Sequence, residues 1–361
     1  MRGTIVTVLL LCAVAWAEEP ALERQEEGSG RLGVVPFALP AYQPETSWLL
    51  GGAAALVYQP PEHSGRRESQ VLLAGAASLR KQFSIILSSD VYALDDRLHL
   101  GGTLSAAKFP DRFFGVGSET RAEAEEPYTP TYYELEFSPK WRVLPSLYVG
   151  PSGRLQVAEI DGRVQGGQLD QGGVTGARGG TTVQLGVSAL WDTRDSTLYP
   201  RSGALIRVQA RMALPAWGST TEFNVVRIDG RSYWTMPYAQ HVVALHALVE
   251  LRSGEPPFYD TGKLGSSEMM RGYFEGRFRD RQHLALQAEY RSPLFWRVGG
   301  VVFASVGNVG RSLDGAMLSN LKPAAGAGLR LAPMADVPVN LRLDVAYGSE
   351  LSFYLNLGEA F

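Results

Sequence analysis

The sequence predicts an all-β protein, a transmembrane antiparallel β-barrel of sixteen strands. Three observations carry that prediction. Apolar and polar residues alternate with a period of two over most of the chain after residue 30. The alternating segments run about 10–14 residues, where globular strands cluster near 5–6 and membrane strands need about 9–11. The polar faces carry Arg, Asp and Glu at mid-strand, segment after segment. A soluble sandwich would also alternate, but it would not place charges so densely along long strands.

The chain opens with Met1-Arg2, an uncharged apolar stretch from Ile5 to Trp16, and Ala15-Trp16-Ala17. This pattern predicts a secretory signal peptide over 1–17, cut after Ala17. It is too short to span a bilayer, which takes about 20 residues. The only cysteine, Cys12, lies inside it, so the exported chain would carry no disulfide. Residues 18–30 are acidic and Gly-rich, a flexible lead-in with no room for a separate N-terminal domain. The barrel domain is expected over 31–361.

Fifteen segments then alternate: 48–58, 69–80, 82–92, 96–108, 130–144, 146–160, 179–193, 203–214, 219–234, 239–253, 281–292, 297–308, 322–332, 338–347 and 350–361. In 283–291, Leu284, Leu286, Ala288 and Tyr290 oppose His283, Gln287, Glu289 and Arg291. In 338–347, Val339, Leu341, Leu343, Val345 and Tyr347 oppose Asn340, Arg342 and Asp344. Single-chain barrels have an even number of strands. A further strand is therefore expected in 31–38 or 112–118, with fourteen or twelve as the other possible counts. In the last segment Leu351, Phe353, Leu355, Leu357 and Phe361 share a face that Glu359 interrupts. A charge at the membrane interface costs little, which is where Glu359 is expected. The four longest links, 109–129, 161–178, 254–280 and 309–321, are expected outside the cell. Short turns such as 235–238 and 292–295 are expected on the periplasmic side.

Composition excludes several classes. Hydrophobic residues make up 45% and aromatics 10%, too many for a disordered chain. The mean hydropathy of −0.07 is far below that of a polytopic helical membrane protein. Lys and Arg number 34 against 37 Asp and Glu, so no nucleic-acid partner is expected. The histidines His63, His99, His241, His246 and His283 stand in no catalytic or metal-binding motif, and no Gly-x-Ser-x-Gly occurs. No enzymatic activity, cofactor or metal is expected.

The longest link contains Met270-Arg271-Gly272-Tyr273-Phe274-Glu275-Gly276, and five alternating segments follow it. Asp192-Thr193-Arg194-Asp195 precedes Tyr199-Pro200-Arg201-Ser202-Gly203, and the chain closes on Phe361. The triplet, its position, this turn and the closing strand together resemble the BamA/TamA superfamily (bacterial surface antigen family) of outer-membrane barrels. The resemblance implies a Gram-negative outer-membrane location, with Phe361 as a C-terminal recognition signal. It also implies an extracellular loop folded into the lumen, with Arg271 paired to acids on the barrel wall. Gly272 would allow a tight turn, and Glu289, on the polar face of the next strand, is the natural partner of Arg271. The family's second acid sits in a Phe-x-Asp-x-Gly pattern, where this chain has Ser305 between Phe303 and Gly307. Asp344 is the residue that could replace it. For Asp192, Arg194 and Asp195, a self-paired turn at a strand end is the simplest role.

The function implied is assembly or translocation, aiding insertion or transfer of polypeptide or lipid. The alternative is a passive pore or structural barrel. Expected partners are outer-membrane lipid, unfolded outer-membrane or exported polypeptides, and a periplasmic accessory subunit. Family members that assemble or export proteins usually carry POTRA domains before the barrel, and the expectation here is a barrel without them.

Overall fold

The computed structural model describes residues 30–43, 47–61, 64–79, 81–237, 240–332 and 339–361. The expected signal peptide and all but residue 30 of the lead-in lie outside the described residues. Among the described residues there are sixteen strands of seven residues or more: β1 (Arg31–Gln43), β2 (Ser47–Gln59), β3 (Ser69–Ser78), β4 (Phe83–Ala93), β5 (Leu98–Lys108), β6 (Glu126–Leu144), β7 (Leu147–Asp161) and β8 (Gly179–Asp192). They continue as β9 (Gly203–Ala213), β10 (Phe223–Thr235), β11 (Val242–Gly254), β12 (Gln282–Phe295), β13 (Val298–Gly310), β14 (Lys322–Leu331), β15 (Leu341–Tyr347) and β16 (Leu351–Leu357). The sixteenth strand is therefore the segment beginning at Arg31. The other candidate supplies only Asp111–Phe113, a short strand beside β6.

Each strand pairs antiparallel with the next in chain order. This meander needs only hairpin links. Val35 of β1 belongs to an inner cluster with Ala55, Val57, Leu198 and Val339, against which Leu357 of β16 packs. The sheet curls into a barrel. Odd and even links fall at opposite ends. Links 109–125, 162–178, 255–281 and 311–321 share one end, and 94–97, 145–146 and 296–297 share the other.

The burial pattern is inverted relative to a soluble protein. On β12, His283, Gln287, Glu289 and Arg291 are buried, while Leu286 and Tyr290 are exposed. On β15, Arg342 and Asp344 are buried while Leu343, Val345 and Tyr347 face out. Apolar side chains stand exposed around the whole sheet, from Leu50 on β2 to Phe353 on β16. So much apolar surface is stable against lipid, not water. Among the described residues no helix is long and apolar enough to cross a membrane.

The close of the chain departs from the sequence expectation. Strand β16 ends at Leu357, and Gly358 takes φ +83°. That left-handed residue breaks the alternation and turns the segment inward. Phe361 is buried against Tyr233 and His246, not set on the outer apolar face. Glu359 likewise lies inside, with Arg330 at 2.8 Å and Asn340 Nδ2 donating at 2.7 Å. Similarly, β12 continues through Phe295, past the turn expected at 292–295.

Candidate functional site

The 255–281 link is a strap touching opposite walls of the barrel. Near its start, the Asp260 carboxylate accepts from Arg154 of β7 at 2.8 Å and from Gln184 of β8 at 2.7 Å. Phe258 packs edge-on against Phe113 and Tyr128. Leu264, Met269, Met270 and Tyr273 pack on inner-face residues Leu248, Ala285, Val309 and Ala324. Beyond the tip the strap is tied to the 109–125 link: Gly117 N donates to Arg279 O at 2.8 Å, and Arg277 donates to Thr120 O at 2.8 Å.

Arg271 is the centre of the tip and is fully buried. Its guanidinium forms ion pairs with Glu289 of β12 and with Asp344 of β15. Its flat face lies 3.4 Å from the centre of the Phe303 ring, a cation–π contact that desolvation strengthens. Gly272 adopts φ +101°, and a Cβ there would stand 2.5 Å from the backbone of Tyr347 and Gly348. Only glycine fits both the backbone angle and the approach. Gly272 N donates to the Tyr354 hydroxyl at 2.9 Å, and its carbonyl accepts from Ser349 N at 3.0 Å and Glu350 N at 3.1 Å. The Tyr273 hydroxyl donates to Pro323 O at 2.9 Å.

The wall around the tip is a charge network. Asp344 also meets Arg330 at 2.6 Å and Arg342 at 3.5 Å, and Glu289 also meets Arg291 at 3.1 Å. Glu359 joins Arg330 at 2.8 Å and Arg291 at 3.9 Å. Four guanidiniums thus share three carboxylates. Further acceptors are backbone oxygens: Arg291 donates to Phe361 O at 2.9 Å, and Arg342 reaches back to Ser267 O of the strap at 2.9 Å. A planar fork on each Arg suits this multiple sharing.

Ser305 lies buried on β13, and its hydroxyl has no hydrogen-bond partner among the described residues. It takes no part in holding Arg271; Asp344, two strands on, supplies the second carboxylate. The turn residues form a separate cluster in and beside the 193–202 link, at the opposite end of the barrel from the strap's attachment. Arg194 grips Asp192 in a bidentate pair at 3.0 and 2.8 Å. Burial alone would lower the Arg194 pKa, but the Asp192 carboxylate outweighs it and raises the value. Arg67 and the Tyr92 hydroxyl join the same carboxylate, each at 3.2 Å. Asp195 Oδ1 caps the turn, accepting from the backbone N–H groups of Ser196, Arg201 and Ser202. Pro200 is buried, and Gly203, at φ +92°, closes against the Thr193 carbonyl. Sequence reasoning did not find the Asp260 anchor. Its only sequence signal is an acid within a long link facing polar-face arginines elsewhere, which is too general to select it.

The Omp85 superfamily domain matches residues 65–361. Among solved structures, BamA from Haemophilus ducreyi lacking POTRA domains 1-3 superposes with a TM-score of 0.56 at 13% identity, covering 92% of this chain and 70% of that one. CdiB from Escherichia coli gives 0.59 at 11%, over 92% and 62%. CdiB from Acinetobacter baumannii gives 0.52 at 11%, over 91% and 65%. The chain spans less than two thirds of either CdiB. No curated protein matches it significantly. At these identities the structures establish likeness of fold: a large antiparallel barrel. The match over 65–361 covers well over half of the chain, which therefore belongs to the Omp85 superfamily.

Proposed function

We propose that this chain is an outer-membrane barrel that aids insertion or transfer of polypeptide or lipid. The observation that carries this reading is the strap tip, with Arg271 fully buried between Glu289 and Asp344. A sixteen-stranded barrel would otherwise enclose a wide aqueous lumen. A strap pinned by ion pairs blocks free passage while keeping a polar, releasable contact. Superfamily membership and the BamA and CdiB folds support the same reading. The proposed partners are unfolded outer-membrane or exported polypeptides, delivered by a periplasmic accessory subunit, with outer-membrane lipid around the barrel. The proposed location is the outer membrane of a Gram-negative bacterium.

The rival is a passive pore. Planar-bilayer recording of the purified protein, combined with outer-membrane proteomics after depletion, separates the two. The proposal expects little steady conductance and loss of particular outer-membrane or exported polypeptides. A stable, large conductance with an unchanged proteome would establish the pore instead.

A further inference from the structure

Below the strap the barrel holds a chamber of about 570 Å³ lined by β2–β6, β9, β10 and the chain's final residues. Its charges are unevenly satisfied. Asp90 is engaged by His99 Nε2 at 2.6 Å. Glu136 is engaged by Arg211 at 3.1 Å and Gln209 at 3.0 Å. Asp229 is held by Arg231 at 2.8 Å and His246 at 3.0 Å. Two cations facing the chamber have no direct ion pair among the described residues, only the longer-range charge of carboxylates such as Asp90. Among the described residues Lys140, 1% exposed, donates hydrogen bonds to Ser138 alone, to its hydroxyl at 2.7 Å and its carbonyl at 3.0 Å. Arg207, half-buried, lines the same chamber with the Asp90 charge nearby and no direct ion pair among the described residues. Lys140 is buried without a direct counter-ion, which is costly, so its surroundings favour an added anion.

The geometry around Lys140 makes a cradle. Gly101 of β5 supplies the floor. A Cβ there would lie 3.2 Å from Ser138 Oγ, 3.2 Å from His99 Cε1 and 3.7 Å from Lys140 Nζ. The His99 ring is fixed beside Tyr92 and Tyr148, at centroid distances of 4.8 and 6.1 Å. Because Nε2 faces a carboxylate, it carries the ring proton in the neutral imidazole. Nδ1 is then an acceptor, and it is buried with no partner among the described residues. Lys140 keeps an N–H free, and the Ser138 hydroxyl, already accepting from Lys140, can donate. The cradle thus offers donors and positive charge together with one acceptor.

We propose that this cradle binds inorganic phosphate as its hydrogen-phosphate dianion. Lys140 and Arg207 neutralise the dianion, Ser138 donates to it, and the ligand's own P–OH donates to His99 Nδ1. Sulfate has similar size and charge but no proton to give. A phosphomonoester dianion and a phosphodiester, as in most lipid headgroups, also lack it.

The test is titration calorimetry on the purified full chain in detergent, using phosphate, glycerol 3-phosphate and sulfate. Saturable phosphate binding is expected, with sulfate weaker by at least about tenfold, the worth of one charge-assisted hydrogen bond. Glycerol 3-phosphate, whose dianion has no P–OH, should fall with sulfate; its binding as tightly as phosphate would overturn the assigned role of His99. Lys140→Met and Arg207→Gln should each weaken phosphate by a similar factor. Gly101→Ala should weaken it with every charge intact, by filling the floor. Heat-modifiable electrophoretic mobility shows that each variant is folded. No saturable phosphate binding by the wild type, equal binding of sulfate, or folded Lys140→Met and Gly101→Ala variants that bind like wild type would each overturn the assignment.

Discussion

The strap is anchored at two places, and the anchors differ in sign and in surroundings. At the tip, a guanidinium enters a wall that already holds three others, Arg291, Arg330 and Arg342, paired among the described residues with the carboxylates of Glu289, Asp344 and Glu359. At the other anchor, a carboxylate enters a wall where Arg154 already has Glu134 at 2.7 Å. The tip is fully desolvated, whereas Arg154 is 13% exposed. The first anchor therefore adds positive charge to a wall whose three guanidiniums already match three carboxylates, and the second adds negative charge to a site already paired. Holding the strap and stabilising the wall are coupled at the tip in one direction only. Losing a wall carboxylate worsens the imbalance, while losing Arg271 relieves it.

This asymmetry predicts the largest effect for Asp344→Asn. Three guanidiniums, Arg271, Arg330 and Arg342, lose a shared counter-charge, and breaking a buried pair from one side costs about 3–5 kcal/mol. The urea midpoint for unfolding in detergent should drop sharply, and the strap should become protease-sensitive. An unchanged midpoint would mean that the network is not the main brace of β12–β15. Gly272→Val ranks next. A β-branched residue at φ +101°, pressed on the Tyr347–Gly348 backbone, carries strain of about 1–3 kcal/mol. It should lift the tip with the charges untouched, giving strap cleavage with a smaller midpoint shift. Arg271→Met should also free the strap, yet it leaves three guanidiniums facing three carboxylates. Its midpoint shift should be clearly smaller than that of Asp344→Asn. Equal shifts in the two variants would remove the claimed asymmetry.

How much of this was legible in sequence follows from the range of each interaction. Period-two alternation is local, so the long strands and their inner faces could be read directly, Glu289 and Asp344 included. Arg271 with Glu289 was legible because the two are joined by one link and the motif marks the tip. Asp344 could only be left open as a partner, since the stagger of strands that sets β15 level with β12 is a property of the closed sheet. The Arg154–Asp260 contact spans 106 residues across the lumen, and no periodicity encodes that. Phe361 was misplaced for the opposite reason. Alternation alone carries the outer face past Leu357, whereas one left-handed glycine at 358 ends it.

The smallest effect is expected at the second anchor, and it tests the comparison most finely. Asp260→Asn removes the charge but keeps an oxygen that can accept from Arg154 or Gln184. Arg154 retains Glu134, so no buried cation is left alone. The loss should be about 0.5–1.5 kcal/mol, the net worth of an ordinary hydrogen bond. Limited proteolysis should detect new cleavage confined to the start of the strap, with the tip still protected and the urea midpoint nearly unchanged. The aromatic packing of Phe258 on Phe113 and Tyr128 holds that end when the charge is gone. Tip cleavage in Asp260→Asn as extensive as in Arg271→Met would mean that the strap docks as one cooperative unit. In that case the two anchors could not be released separately.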